Sequence, residues 1–314
     1  MTPDFAIIAA SLCATVFTFL FGLEKFSGQV ERLAGNRFRE LIQKATNYPP
    51  KAVLVGIIIT SILSSSTAVS VLLVSLARAG VIPLYNSLGV IIGANIGTTL
   101  TTQLVAFKIL TIAPYILIAG FIVMHIKSSA QRYGKAIFYF GLVFSSLFIM
   151  SYITSQFSEN AYIIDLVTHT SNLFVAIAVG TFLSTVLQSS LAAAAVVVIL
   201  ASQGLLDFEQ SLGIILGTNI GTTTTALLAS TVSNKSGRQV ALGHLLFNVV
   251  GVILFLPLIK PTVTFFTQTN VTLAQQVTLS HLFFNLYTAL IFIIGFNLFH
   301  KAVLFLTQSR TPQK

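Results

Sequence analysis

Residues 93–101 read GANIGTTLT, and residues 217–225 read GTNIGTTTT. At the same offset of 124, LSSSTA (63–68) falls over LQSSLA (187–192), with no gap between the two matches. From Gly56 to Leu104 about 21 of 49 positions are identical at this one shift, which marks an internal duplication. Whatever fold the chain adopts must build the same unit twice.

Composition narrows what that unit is. Of 314 residues, 55% are hydrophobic and 8% are charged, against roughly 25% charged in a soluble domain. Long apolar stretches recur along the whole chain, and none alternates at the period of a transmembrane strand. The chain reads as an all-α polytopic membrane protein. The net charge of +9 is explained by Lys- and Arg-biased cytoplasmic loops, so nucleic acid is not an expected partner. The single cysteine, Cys13, excludes an intrachain disulfide and lies in an apolar span. Asp4 precedes the first apolar segment, which has no basic leader or cleavage site; it reads as a true span.

Spanning helices are expected at 5–22, 84–107, 111–126, 136–152, 208–230, 240–259 and 279–299. Two further apolar stretches, 52–79 and 170–203, are interrupted at their centres by SSS and QSS. The segment 24–47 reads as an amphipathic surface helix. It is basic, as are 127–135, 233–238 and the tail 300–314; 155–165 and 205–209 carry only acids. These charges sort if 52–79 dips in from the cytoplasm and 170–203 from outside, with Lys108 and Lys260 as exceptions. The N-terminus then lies outside and the C-terminus inside a cytoplasmic (inner) membrane. Three spans, an odd number, separate the two copies, so the repeats face opposite ways. Repeat 1 is assigned to 1–126, repeat 2 to 127–260, and the final span and basic tail to 261–314. Inverted repeats with interrupted helices at matching positions point to a secondary transporter. Scaffold duplication alone would not favour the retention of polar runs.

The polar runs indicate chemistry. Residues 51–63 as a helix rise roughly 20 Å, reaching the bilayer midplane without crossing it. A turn at Ser64, Ser65, Ser66 and Thr67 would make a re-entrant hairpin with hydroxyls and free N–H groups at its tip. Gln188, Ser189 and Ser190 would do the same from the other face. Such tips bind an anion without a charged side chain. The competing reading is one continuous tilted helix whose serines bond their own carbonyls. In GANIGTT and GTNIGTT, glycines four apart are expected to break each spanning helix. Asn95, Thr98, Thr99 and Thr101, with Asn219 and Thr222 to Thr225, would then offer neutral oxygens to sodium. The competing reading there is a close Gly-x-x-x-Gly helix crossing.

All eight acids (Asp4, Glu24, Glu31, Glu40, Glu159, Asp165, Asp207, Glu209) fall at span ends or in connections, which leaves no intramembrane carboxylate for proton coupling. His244 and His281, in HLLFN and HLFFN, are the buried candidates; His125, His169 and His300 sit at span ends. No His or Cys pair has transition-metal spacing. An enzyme is not expected: Ser189 with His244 lacks a Gly-x-Ser-x-Gly and a buried acid. A passive anion channel is the stronger rival, although channels usually build filters by oligomeric symmetry.

These same residues resemble the sodium/phosphate cotransporter family, the type II kind with its bacterial relatives. The likeness runs from FLFGLEKFSGQVERLAGNRF (19–38) through KILTI, and from TVLQSSLAAAA through GHLLFNVVGV. It implies sodium-driven movement of phosphate or a related oxyanion by alternating access, in either direction, or of another small solute on the same scaffold. No cofactor is implied; sodium is the coupling ion, and the lipid bilayer and a homodimer partner complete the expected contacts. The implied anion site is Ser64, Ser65, Ser66, Thr67, Gln188, Ser189 and Ser190. Asn95, Thr98, Thr99, Asn219, Thr222 and Thr223 would support ions. Ser64 stands where the family pattern has Gln, and Leu191 where it has Ser; each lost hydrogen bond is worth roughly 1.5–3 kcal/mol to a charged ligand. The soluble regulatory-type domain of many bacterial relatives is not expected here.

Overall fold

The computed structural model describes residues 5–44, 48–106, 109–126, 130–155 and 172–308. Asp4, Lys108, Glu159, Asp165 and His169 lie outside them, as do most of the acidic connection 155–165, residues 127–129 and the tail from 309. Among the described residues the regular structure is all helical: α1 (Phe5–Ala34), α2 (Arg37–Lys44), α3 (Pro49–Leu63), α4 (Ser66–Arg78), α5 (Leu84–Ala106), α6 (Ile109–His125), α7 (Gln131–Ser155), α8 (Leu173–Leu187), α9 (Ser190–Ser202), α10 (Phe208–Gly221), α11 (Thr223–Thr231), α12 (Lys235–Phe255), a 3-10 turn (Leu256–Leu258), α13 (Ile259–Thr267), α14 (Leu273–Ile294) and α15 (Phe296–Leu306). Six segments are long and apolar enough to cross a membrane: Ala10–Ala34, Leu84–Ala106, Gln131–Ser155, Phe208–Thr231, Lys235–Thr267 and Leu273–Ile294. The chain is a polytopic membrane protein.

Several boundaries move, each for a local reason. The surface helix expected over 24–47 begins only at Arg37, because nothing breaks α1 before Gly35, which takes φ +57. Residues 24–34 therefore extend the first span, Ala10–Ala34, so Glu24 and Glu31 lie within it and not at its end as expected; 45–47 lie outside the described residues. The basic segment 233–238 is mostly helix, since the Asn234 side chain caps α12 by accepting from the Gly237 N–H. The last span starts earlier than 279, at a capping box in which Thr272 and Gln275 each accept the other's backbone N–H. It stops at Gly295 rather than running to 299.

The duplication reappears in three dimensions. α3 lies along α5 as α8 lies along α10. A Cβ on Gly93 would strike the Val53 carbonyl oxygen, and one on Gly217 would strike that of Ile177, 124 positions on. Gly56 against Val90 and Gly180 against Ile214 repeat the same contact from the opposite helix. Side chains are absent from these crossings, so backbone rests on backbone. Here the close-packing reading of the glycines holds.

It also explains why one expected break is missing. α5 runs unbroken through GANIGTT. Asn95 Nδ2 donates to the Ile91 carbonyl (3.0 Å), and the hydroxyls of Thr98, Thr99, Thr101 and Thr102 donate to carbonyls three or four residues back. In the second copy the helix is interrupted at Thr222 alone, which keeps helical angles and its N–H bond to Thr218. The broken spanning helices expected in both repeats are thus absent from the first and slight in the second.

α5 sits at the centre: 83% of its most apolar window is buried, against 28% for α1. Leu54, Ile58 and Ile62 of α3 and Phe182 and Val186 of α8 form exposed apolar stripes at helical spacing, the pattern of a lipid-facing surface. The interior divides into two main apolar clusters. One joins α3, α4 and α5 to α12 and α15, and the other joins α1, α7, α8, α9 and α10.

Because backbone cannot move aside as a side chain can, Gly217→Ala is expected to cost about 1–3 kcal/mol. Gly28, with nothing within 4 Å of where a methyl group would sit, is the control: Gly28→Ala gains up to about 1 kcal/mol of helix propensity. Thermal unfolding of the purified protein in detergent reads both.

Candidate functional site between two helix–helix turns

α3 has 15 residues and α4 has 13, so each rises about 20–22 Å, short of a hydrocarbon core of about 30 Å. The chain between them is two residues long. Ser64 takes the left-handed conformation (φ 53, ψ 28), and Ser65 is extended (φ −149, ψ 98). The second turn copies it: Gln188 at φ 50, ψ 28, then Ser189 at φ −153, ψ 113. Ser64 and Gln188 are the non-glycine residues with positive φ among those described. The continuous tilted helix is excluded at both places. Left-handed backbone costs a non-glycine residue roughly 1–2 kcal/mol, and keeping it at the two matched positions marks a place where geometry outranks stability.

Each turn starts a helix, and each start is capped alike. Ser65 Oγ accepts the Ala68 N–H at 3.1 Å, and Ser189 Oγ accepts the Ala192 N–H at 3.1 Å. A capping serine uses a lone pair, which leaves its hydroxyl proton available as a donor. The N-terminal N–H groups and positive dipole ends of α4 and α9 lie at the same two turns.

The turns touch. The Thr67 hydroxyl donates to the Gln188 carbonyl oxygen at 3.0 Å, across 121 residues of chain. Leu191, at the position equivalent to Thr67, is buried in the second apolar cluster and returns no such bond. Beside this contact lies an open cavity of about 470 Å³, lined by Ser65, Thr67, Ala68, Leu187, Gln188 and Ser189. The Gln188 side chain is exposed into it. Of the anticipated anion residues, four line this cavity: Ser65, Thr67, Gln188 and Ser189. Ser64, Ser66 and Ser190 are buried and do not.

The opposite wall is not anticipated by the sequence reading. Leu20, Leu23, Glu24, Ser27, Gly28 and Glu31 of α1 complete the cavity. Glu24, Ser27 and Glu31 recur at three- and four-residue spacing in a chain poor in acids, a signal that becomes readable once 24–34 is known to be helix.

The anticipated ion residues lie deeper. Asn95, Thr98, Thr99, Asn219, Thr222 and Thr223 are all buried. In the first copy the threonine hydroxyls are bonded within α5. In the second, the buried Oγ1 atoms of Thr222 and Thr225 have no partner, nor has Ser184 Oγ. Ser184 packs directly beneath Gly221, as Thr60, also partnerless, packs beneath Gly97. The signal that finds this pair is in the aligned repeats, which match hydroxyls at 60 and 184. Each of the two buried histidines contacts a polar side chain on another helix. His244 Nδ1 lies 3.2 Å from Ser70 Oγ in α4, and His281 Nε2 lies 3.2 Å from Asn219 Nδ2. Their bonds to Asn248 and Asn285 involve the histidine backbone carbonyls, not the rings.

A family model described as Na+/Pi-cotransporter matches residues 18–152 and 162–307. The chain belongs to that family. It is 28% identical to the uncharacterized protein YqeW of Bacillus subtilis over 97% of this chain and 100% of that one. It is 26% identical to the putative inorganic phosphate export protein YjbB of Salmonella typhimurium over 80% of this chain. That match spans 47% of the relative, about half its length. An 86-residue stretch is 44% identical to the sodium-dependent phosphate transport protein 2C of Mus musculus, covering 26% of this chain and 14% of that one. No solved structure matches the chain. The family is one of transporters, which argues against an enzyme.

The two turns predict substitutions of opposite sign. Ser189→Ala removes a cap and lowers stability by about 1 kcal/mol. Gln188→Gly relieves left-handed strain and leaves stability equal or higher by about 1 kcal/mol. Chemical or thermal unfolding in detergent measures both.

Proposed function

We propose that this protein moves inorganic phosphate or a similar oxyanion across a cytoplasmic membrane, coupled to sodium, by alternating access between two opposed hairpin tips. The observation that carries the reading is the Thr67–Gln188 contact beside the 470 Å³ cavity. It joins, at one point, two helix starts that the sequence duplicates.

The anion would meet the hydroxyl protons of Ser65 and Ser189, the Gln188 amide, and the N-terminal N–H groups of α4 and α9. That set donates hydrogen bonds without fixed charge, which suits a ligand that must also leave. Because α3, α4, α8 and α9 are too short to cross, each pair is read as a re-entrant hairpin. Counting α6, 17 residues long and outside the six longer segments, as a span beside α5 and α7 puts three spans between the hairpins, so the two enter from opposite faces. The repeats are then inverted, with the N-terminus outside and the C-terminus inside. The family match and the names of the phosphate export and sodium-dependent phosphate transport relatives support the substrate and the ion.

Sodium is assigned to the second repeat. Ser184, Thr222 and Thr225 carry buried oxygens without partners there, and neutral oxygens are what a dehydrated sodium ion accepts. Glu24 and Glu31, across the cavity, raise the local cation concentration and disfavour an unaccompanied anion. A homodimer is retained as the proposed assembly.

Purified protein in liposomes is expected to accumulate labelled phosphate when a sodium gradient is imposed, with saturation. Gln188→Ala should lower phosphate affinity about tenfold, the loss of one hydrogen bond to a charged ligand. Flux indifferent to sodium and non-saturating would instead identify a passive channel. Cysteines placed at Lys51 and Ser202, exposed at the bases of the two hairpins, in a Cys13→Ser background should be labelled from different sides; labelling of both from one side alone would contradict opposed hairpins.

A further inference from the structure

His281 is 1% exposed and Asn219 is 3% exposed. Asn219 Nδ2 donates to the Ile215 carbonyl of its own helix at 2.9 Å, and the same nitrogen lies 3.2 Å from His281 Nε2. Turning the amide over would set its oxygen against the Ile215 carbonyl, so the nitrogen must face that carbonyl. Its first hydrogen is used there. The second points to His281 Nε2, which therefore accepts, and the ring proton of the neutral imidazole sits on Nδ1. Nδ1 is buried without a partner, so Asn219 is what orients the ring. Asn219 Oδ1 lies 3.5 Å from the same Nε2; with the ring proton on Nδ1 that contact is not a hydrogen bond, and the oxygen keeps its lone pairs for a ligand.

The first repeat has no counterpart. Asn95 makes the equivalent bond to Ile91 at 3.0 Å and none to another helix. The copies differ in the same way at two hydroxyls. Thr98 and Thr101 are bonded within α5, whereas their equivalents Thr222 and Thr225 have no partner. Asn219 and Thr222 are one helical turn apart in sequence, and Thr222 is where that helix is interrupted.

We infer that His281 is a positioning residue: from α14 it locks the Asn219 amide so that the side-chain carbonyl is presented as a cation ligand in the second repeat. This rests on the sodium-coupled reading above and adds to it a residue that never touches the ion. It also ties the last spanning helix to the ion site, so that movement of α14 and occupancy of the site are linked.

The test uses the full chain purified in detergent, with sodium chloride as the probe and choline chloride as the ionic-strength control. Sodium should raise the thermal midpoint of wild type along a saturating curve. His281→Phe, which keeps bulk and removes the acceptor, should shift the half-saturating sodium concentration up by about tenfold. His281→Gln restores an acceptor near the same place and should return it to within about threefold. The half-saturating phosphate concentration at saturating sodium should stay within about twofold in all three. Asn219→Ala, which removes the ligand itself, should lose at least as much as His281→Phe, and the double variant no more than Asn219→Ala, because His281 acts only through that amide. If His281→Phe does not yield folded protein, His281→Asn, too short to reach, serves in its place. A wild type unaffected by sodium overturns the sodium reading and this inference with it. A wild type stabilised by sodium with His281→Phe on the same curve, or fully additive losses in the double variant, overturns the positioning role alone.

Discussion

Everything in this structure depends on backbone meeting backbone at two glycine crossings. Gly93 and Gly56 bring α3 onto α5, and Gly217 and Gly180 bring α8 onto α10, with no side chain in between. In lipid, where apolar surface gains little by hiding from more apolar surface, close packing of this kind is a main source of helix association. It fixes each short helix against a long buried one, and so fixes where the short helix ends. The turns at 64–65 and 188–189 are placed by those crossings.

The turns are alike in backbone and unlike in side chain. Both use a left-handed residue followed by an extended capping serine, with angles that agree within about 15°. Yet Thr67 donates to the other turn while Leu191 is packed into the core, and Gln188 extends into the cavity where its partner position holds the shorter Ser64. The same asymmetry runs deeper. The hydroxyls of α5 are consumed by their own helix, whereas Thr222 and Thr225 are left open. A duplicated scaffold has thus been put to two different uses, one copy closing the contact and the other carrying the free donors and acceptors.

Much of this is legible in the sequence. The repeat, its offset, the two interrupted stretches and the residues at the turns all follow from aligning the chain with itself. So does Ser65–Ser189 as a pair, because a serine retained in an apolar run has few reasons to persist except caps, turns and ligands. Where sequence and structure part, the causes are physical. Two glycines in one span favour unwinding by local propensity. Packing against α3 overrides that preference, and the threonines then satisfy themselves within the helix. The charges of 24–34 favour a surface helix, although no residue before Gly35 stops α1. Glu24, Ser27 and Glu31 reach the cavity only because the first span continues through them.

The sequence by itself determined that the chain is helical, membrane-spanning and built twice, since apolar length and internal identity are properties of the string. It also determined which residues could serve at the turns. Only the tertiary structure decided which of them share a cavity, that Thr67 reaches Gln188, and that Asn219 has a partner in His281, 62 positions away. These are contacts between helices. Their geometry depends on how closely the backbones approach, which a one-dimensional pattern can permit but does not specify.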